Sequence, residues 1–207
     1  MLRFQQTVKE LIETLEGSGE YLAFRQIPRE RKRESGAKDL AKKKSAIESE
    51  EQNWVVWNRP GHGPMVLTWK PENEQEALGL LWKLEVLEAL PFAQFQTLAY
   101  PGVAGGPDLI VNFQEDRTSE PSRAAVVEVE NRFYNYKAHG RHPAQYPKIV
   151  CWDAPTSGRK IRLTPTSKKY KFTANMDEYQ LHVFVLKLMD GIRVLSRKEL
   201  MAQGITL

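Results

Sequence analysis

Cysteine is almost absent from this chain: Cys151 stands alone among 207 residues. A lone thiol can form no intrachain disulfide and supplies no CxxC zinc site, so the expected setting is a reducing, cytoplasmic one. Long apolar runs are missing too. No segment approaches the roughly 18 residues that a bilayer-spanning helix needs, and no membrane partner is expected. The opening MLRFQQTVKELIETLEG reads as an amphipathic helix carrying acids, not as a secretory signal. GxSxG, the P-loop and the dinucleotide fingerprint are all lacking, which leaves a small-molecule hydrolase with little support.

Neither sign of charge dominates. Thirty Lys and Arg face 26 Asp and Glu, for a net charge of +4, and hydrophobic residues make up 41%. That composition belongs to a globular protein and leans only mildly towards polyanionic partners. The distribution is more telling than the sum. Residues 25–44 carry nine Lys or Arg against three acids, and residues 158–171 (GRKIRLTPTSKKYK) carry six against none. The first run suits a solvated helix face or linker, or an arm that tracks a phosphate backbone. The second suits a twisted hairpin with a positive outer face. Residues 1–50 are therefore expected to form a helical, basic arm or linker ahead of a domain spanning 51–207. Such a chain could pair with a second copy or belong to a larger protein.

Apolar spacing predicts a helix over 3–16, with Phe4, Val8, Leu11, Ile12 and Leu15 on one face. WVVWN and PMVLTWK frame a hairpin around residues 59–64. A helix follows over about 74–90, capped by Asn73, with Glu76 completing a capping-box-like pair and Pro91 closing it. Its apolar positions cover most of its circumference, as on a helix laid against a sheet. Strands are expected at 93–100, 108–113, 124–130, 148–152, 160–164, 169–173 and 179–188. A second capping-box pattern, Ser196 to Glu199, opens a short terminal helix.

The chemistry concentrates in two of these strands. Glu128 and Glu130 are two residues apart, so both leave one face of a strand while Val129 faces the opposite layer. Glu128 interrupts an apolar run (Val126, Val127, Val129), where a carboxylate is costly unless paired or metal-bound. Asp108 opens the neighbouring strand, where a turn can bring it beside the other two, although Asp after Gly-Gly-Pro is also a common turn former. Three clustered carboxylates repel unless a cation or proton neutralises them. Hard oxygen ligands suit Mg²⁺ or Mn²⁺ rather than zinc.

The runs GGPDLIVNF and VVEVENRF, placed after a helix and a strand, resemble the PD-(D/E)xK nuclease superfamily over roughly residues 72–153. The resemblance implies an α/β fold with a restriction-endonuclease-like core, a mixed central sheet flanked by helices. It also implies metal-dependent hydrolysis of phosphodiester bonds, in DNA ahead of RNA, in restriction, anti-phage defence or repair. Asp108, Glu128 and Glu130 would be catalytic and would hold Mg²⁺ or Mn²⁺, with Glu74 at the helix start as a further ligand. Glu130 stands where the motif has lysine. Either Glu130 orients or deprotonates the water, or Lys137 or Lys148 reaches in. The segment 131–147 (NRFYNYKAHGRHPAQYP) departs from the family's long helix, because Gly140, Pro143 and Pro147 interrupt it. Its Arg132, Lys137, His139, Arg141, His142 and Gln145, interleaved with aromatics, suit phosphate contact and base stacking. The His139-His142 spacing alone makes a weak case for zinc. The competing expectation is an inactive nuclease-fold module that binds nucleic acid or assembles a larger complex.

Overall fold

The computed structural model describes residues 36–101, 106–140, 142–154 and 161–207. The expected helix over 3–16 and much of the basic arm lie outside the described residues. The chain divides into two units, residues 1–49 and 50–207. Of the first, a helix over residues 36–48 (α1) is described, with Lys38, Lys42, Lys43 and Lys44 all exposed on it. Its apolar residues are mostly alanine, and Leu40 is 56% exposed.

The second unit is mixed α/β and contains two sheets. β1 (Asn53–Arg59), β2 (Gly63–Trp69) and β10 (Ile192–Ser196) form an antiparallel sheet in the order β10-β1-β2. The β1–β2 hairpin falls where the alternating WVVWN and PMVLTWK place it. β10 does not announce itself: five residues squeezed between the Gly191 turn and the Ser196 helix cap are too few to show a period. Gly191 is required there. Its φ is +79°, and a Cβ would lie 3.0 Å from the Asn58 carbonyl oxygen, against the strand it turns beside.

The larger sheet has seven strands: β3 (Gln94–Ala99), β4 (Leu109–Gln114), β5 (Ser122–Arg132), β6 (Lys148–Asp153), β7 (Leu163–Pro165), β8 (Lys171–Met176) and β9 (Tyr179–Val185). Their spatial order is β3-β4-β5-β6-β9-β8-β7. β3, β4 and β5 form an antiparallel meander. β6 and β9 then run parallel to β5, and β8 and β7 return antiparallel.

Helix α2 (Glu74–Val86) covers one face of this sheet, burying Ala77, Leu78, Leu80, Leu81 and Leu84 against Val127, Val129, Val150 and Phe113. Asn73 caps it by accepting from the Glu76 backbone N–H at 3.0 Å. The Glu76 carboxylate accepts in turn from Glu72 N–H at 2.9 Å, one residue before the cap. The helix stops at Val86, short of the expected 90. Glu88 turns into the left-handed region (φ 53°), and Ala89 N–H returns to the Leu84 carbonyl. Leu87, Ala89 and Leu90, which extend the helical pattern on paper, pack onto the core from that turn instead. The opposite face of the sheet holds a second core of Phe133, Tyr136, Ile149, Cys151, Leu181, Val183 and Val185. A short helix α3 (Asn135–Ala138) lies on this side, and α4 (Arg197–Ala202) closes the chain with the full Ser196–Glu199 capping box.

The basic stretch around β7 and β8 is not the open positive face expected of it. Residues 158–160 lie outside the described residues, but Lys168 binds Glu115 at 2.9 Å and Asp116 at 3.1 Å. Lys171 binds Glu115 at 2.5 Å, and Lys169 binds Asp190 at 2.5 Å. Lys168 and Lys171 clasp the β4–β5 turn to the β8 side of the sheet. Burial alone would raise the Glu115 pKa, but the hydrogen bonds and charges of Lys171 and Lys168 outweigh it and hold the group below its ordinary range. Asp116 is held at about 2, first by the Thr118 hydroxyl and then by Lys168. A carboxylate with a depressed folded pKa stabilises the fold above its unfolded pKa, and that stabilisation is lost as pH falls through the folded value. The parent's resistance to denaturation should therefore fall between about pH 5 and about pH 2. Glu115→Gln should be less stable at neutral pH and show a shallower acid loss, and an acid slope identical to the parent's would exclude the clasp.

Candidate metal centre

β5 is longer than its antiparallel neighbour. β4 begins at Leu109, opposite Val127, so residues 128–132 run past it and pair along this stretch only with β6. Pro107 supplies no N–H with which to continue the β4 ladder. The Asp108 side chain takes over instead: its Oδ2 accepts from Val129 N–H at 2.8 Å. A carboxylate thus stands in for the next main-chain acceptor, and Asp108 acts as a clasp on the strand that carries the two glutamates.

Alternation then decides the faces. Val127 and Val129 enter the core under α2, while Glu128 and Glu130 leave on the other side, in register with Ile149 and Cys151. Both glutamates are 0% exposed. Withdrawing an ionised carboxylate from water costs several kcal/mol unless a counter-charge, proton or metal compensates. The surroundings feel the charge: burial pushes the Cys151 thiol up, and the Asp153 and Glu130 carboxylates push it further.

Two other elements converge on Glu130. Glu74 is the first residue of α2, placed by the Asn73 cap at the helix end. His139 directly follows α3 and donates its backbone N–H to the Asn135 carbonyl at 3.3 Å. Phe133 and Tyr136 are sunk into the second core, and the Tyr136 hydroxyl donates to the Tyr146 carbonyl at 3.1 Å, so aromatic anchors fix the segment from which His139 projects. His139 Nδ1 lies 3.0 Å from Glu130 Oε1, with the imidazole 39% exposed. One potential ligand atom from each of Glu74, Glu130 and His139 falls within 4.8 Å of the others. Trans donors on an octahedral ion of magnesium or manganese size stand about 4.2 Å apart, so small side-chain rotations complete a ligand set.

The expected group of Asp108, Glu128, Glu130 and Glu74 is therefore brought together in part. Glu74 and Glu130 meet. Asp108, bound to Val129 N–H, and Glu128 lie outside the set of three, and His139 joins it. The sequence marks His139 for nucleic acid because it lies among basic and aromatic residues. Its partnership with Glu130 depends on a helix of only four residues, which no periodicity reveals.

The other residues of the segment expected to meet nucleic acid are exposed where they are described. Arg132 is exposed and donates to the Tyr134 hydroxyl at 3.2 Å. Lys137, His142 and Gln145 are exposed, while Arg141 lies outside the described residues. His142 accepts from Ala144 N–H at 3.3 Å, and its ring meets Tyr179 edge-on at 5.4 Å between centroids. Lys148, one of the two lysines that could replace the missing one, is on the wrong face. It is in register with Val127, and its ammonium lies 5.7 Å from the Phe113 ring centroid, on the α2 side. Burial there lowers its pKa, and the Glu115 charge partly restores it.

No protein-family model, curated protein or solved structure matches this chain.

The clasp sets a stability expectation that differs from the harmless removal of a repelling charge. Asp108→Ala leaves a buried-strand N–H without its acceptor and should cost about 1–3 kcal/mol. Asp108→Asn keeps a side-chain oxygen there and should retain most of that stability. Urea denaturation separates the two; equal losses in both variants would remove the clasp from consideration.

Proposed function

We propose that this chain is a metal-dependent phosphodiesterase acting on nucleic acid, DNA ahead of RNA, with its centre at Glu74, Glu130 and His139. The observation that carries the reading is the convergence of these three side chains, from a helix start, a strand end and a separate helix end, around a carboxylate withdrawn from water. The donor set fits a divalent cation: two carboxylates and an imidazole, with one side facing solvent. The order of elements supports kinship with PD-(D/E)xK nucleases: α2, three antiparallel strands, α3, then β6 parallel to β5.

In this reading Glu74 and Glu130 with His139 hold Mg²⁺ or Mn²⁺. Such an ion supplies Lewis-acid stabilisation of a phosphoryl oxygen and a more acidic water. The chain's own residues do the rest. Arg132, Lys137 and His142, exposed on the segment that also carries His139, hold the phosphate backbone near the centre. With Lys148 turned to the other face, Lys137 is the lysine that α3 keeps on this side of the sheet, and the buried carboxylates take over the lysine's part in orienting water. Asp108 positions β5 instead of contacting substrate.

A second reading has its own support: the Asp108 carboxylate is committed to Val129 N–H, and Lys148 points away, as in a nuclease fold that has kept binding and lost cleavage. Metal dependence separates the two. Supercoiled and linear DNA incubated with Mn²⁺ or Mg²⁺ should be cut by the parent and spared with a chelator, and Glu130→Ala and Glu74→Ala should each lower the rate at least about 100-fold. DNA that is retained equally with chelator and never cut selects the binding module. Cleavage at the parent rate by Glu130→Ala excludes this centre.

A further inference from the structure

The donor set itself carries chemistry beyond the presence of a cation. We infer that His139 biases the centre towards Mn²⁺ over Mg²⁺ by supplying a nitrogen ligand. This deepens the metal-centre part of the function proposed above and rests on it.

The argument begins with geometry. Adjacent donors on an octahedral ion, each at about 2.1 Å, stand roughly 3 Å apart. His139 Nδ1 and Glu130 Oε1 are 3.0 Å apart, the separation of two neighbouring ligands on one ion. The Glu74 donor lies within 4.8 Å of both, a range that takes in the spans of adjacent and of opposite ligands. Neither glutamate needs to be rebuilt. Glu130 is fixed by strand register, Glu74 by its place in the first turn of α2, and His139 by the buried Phe133 and Tyr136 that precede it.

Donor chemistry then sets the preference. Mg²⁺ is a small, hard ion that dehydrates reluctantly and is held mainly by oxygen and water. Giving up a water for an imidazole nitrogen gains it little. Mn²⁺ accepts carboxylate oxygen equally well and tolerates nitrogen better, standing at the start of the first-row series in which imidazole affinity rises. An all-carboxylate site made of Asp108, Glu128 and Glu130 would carry no such bias. Asp108 is bound to the Val129 N–H at 2.8 Å, and a histidine stands in the set of three. The exposure of the imidazole, at 39%, leaves one side of the centre open for entry of the ion and for water.

Calorimetric titration of MnCl₂ and of MgCl₂ into the folded full chain, without nucleic acid, tests this directly. The parent should bind one Mn²⁺ at least about tenfold more tightly than Mg²⁺. His139→Ala should weaken Mn²⁺ by at least about tenfold while Mg²⁺ changes less than about threefold, so that the preference collapses. His139→Ala alters a side chain that is partly in solvent, and circular dichroism checks that the variant remains folded. Asp108→Asn serves as a second probe and should keep the Mn²⁺ preference, since its carboxylate is not a ligand. Manganese resonance spectra add a readout independent of heat: nitrogen hyperfine coupling should be present in the parent and absent from His139→Ala. The inference is overturned if the parent binds no Mn²⁺ at millimolar concentration, if both ions weaken equally in His139→Ala, or if Asp108→Asn abolishes binding. DNA cleavage is scored separately. A chain that holds Mn²⁺ through His139 and cuts nothing retains this inference and loses the nuclease reading. A chain that cuts with either ion, and keeps its preference in His139→Ala, does the reverse.

Discussion

The structure depends on what β5 is made to carry. Nine of its eleven residues could serve an ordinary strand, but Glu128 and Glu130 place two carboxylates beside Ile149 and Cys151, out of contact with water. Along Val127–Glu130 the pairing with β6 is regular, so burying Val127 and Val129 under α2 puts the glutamates in the other layer. That layer must then accept them. The accommodation is visible around it: β4 stops short, Asp108 takes over its ladder, Glu74 arrives from a helix end, and His139 arrives from a segment pinned by aromatics. Each feature is local. Together they hold carboxyl groups at a place where packing alone would have chosen leucine.

Charge elsewhere follows a different rule. The sequence concentrates positive residues at two flanks of an acidic middle, which looks like a grip for a polyanion. In the fold, Lys168 and Lys171 of the second flank lie against Glu115 and Asp116 and tie the β4–β5 turn to the far side of the sheet, while Lys169 meets Asp190. Surface ion pairs of this kind stabilise little individually, but a buried-side pair such as Lys171–Glu115 fixes geometry. The cationic side chains left facing solvent near Glu130 are fewer and come from the segment between β5 and β6. Counting charges along a sequence cannot tell these two populations apart, because Glu115 and Asp116 lie more than fifty residues from the lysines they pair with.

Much of the architecture was legible in the residues. Asn73 and Ser196 marked helix starts, and the strands from Gln94 to Val185 follow β-branched and aromatic runs. The parity of Glu128 and Glu130 against Val129 followed from the two-residue period alone. What escaped was set by single residues acting at a distance. The end of α2 depends on Glu88 taking a left-handed conformation that its identity does not advertise. β10 is too short to show a pattern. The candidate site was half legible: element order picked out Glu74 and Glu130, which the fold brings beside His139, whereas the bond from Val129 N–H to Asp108 leaves no mark in sequence. His139 was visible as a polar residue on the right segment, and only the four-residue α3 turns it towards Glu130.

The solitary thiol acquires a use from its position. Cys151 is wholly buried in the parallel part of the sheet, across from Glu130, and its raised pKa makes it a poor nucleophile there. A thiol-reactive dye can reach it only when β5, β6 and β9 part. Because no other cysteine competes, the labelling rate is a clock for the opening of the strand bearing Glu130. The same side chain that excludes a disulfide framework thereby supplies an internal gauge of how firmly the acidic strand is held shut.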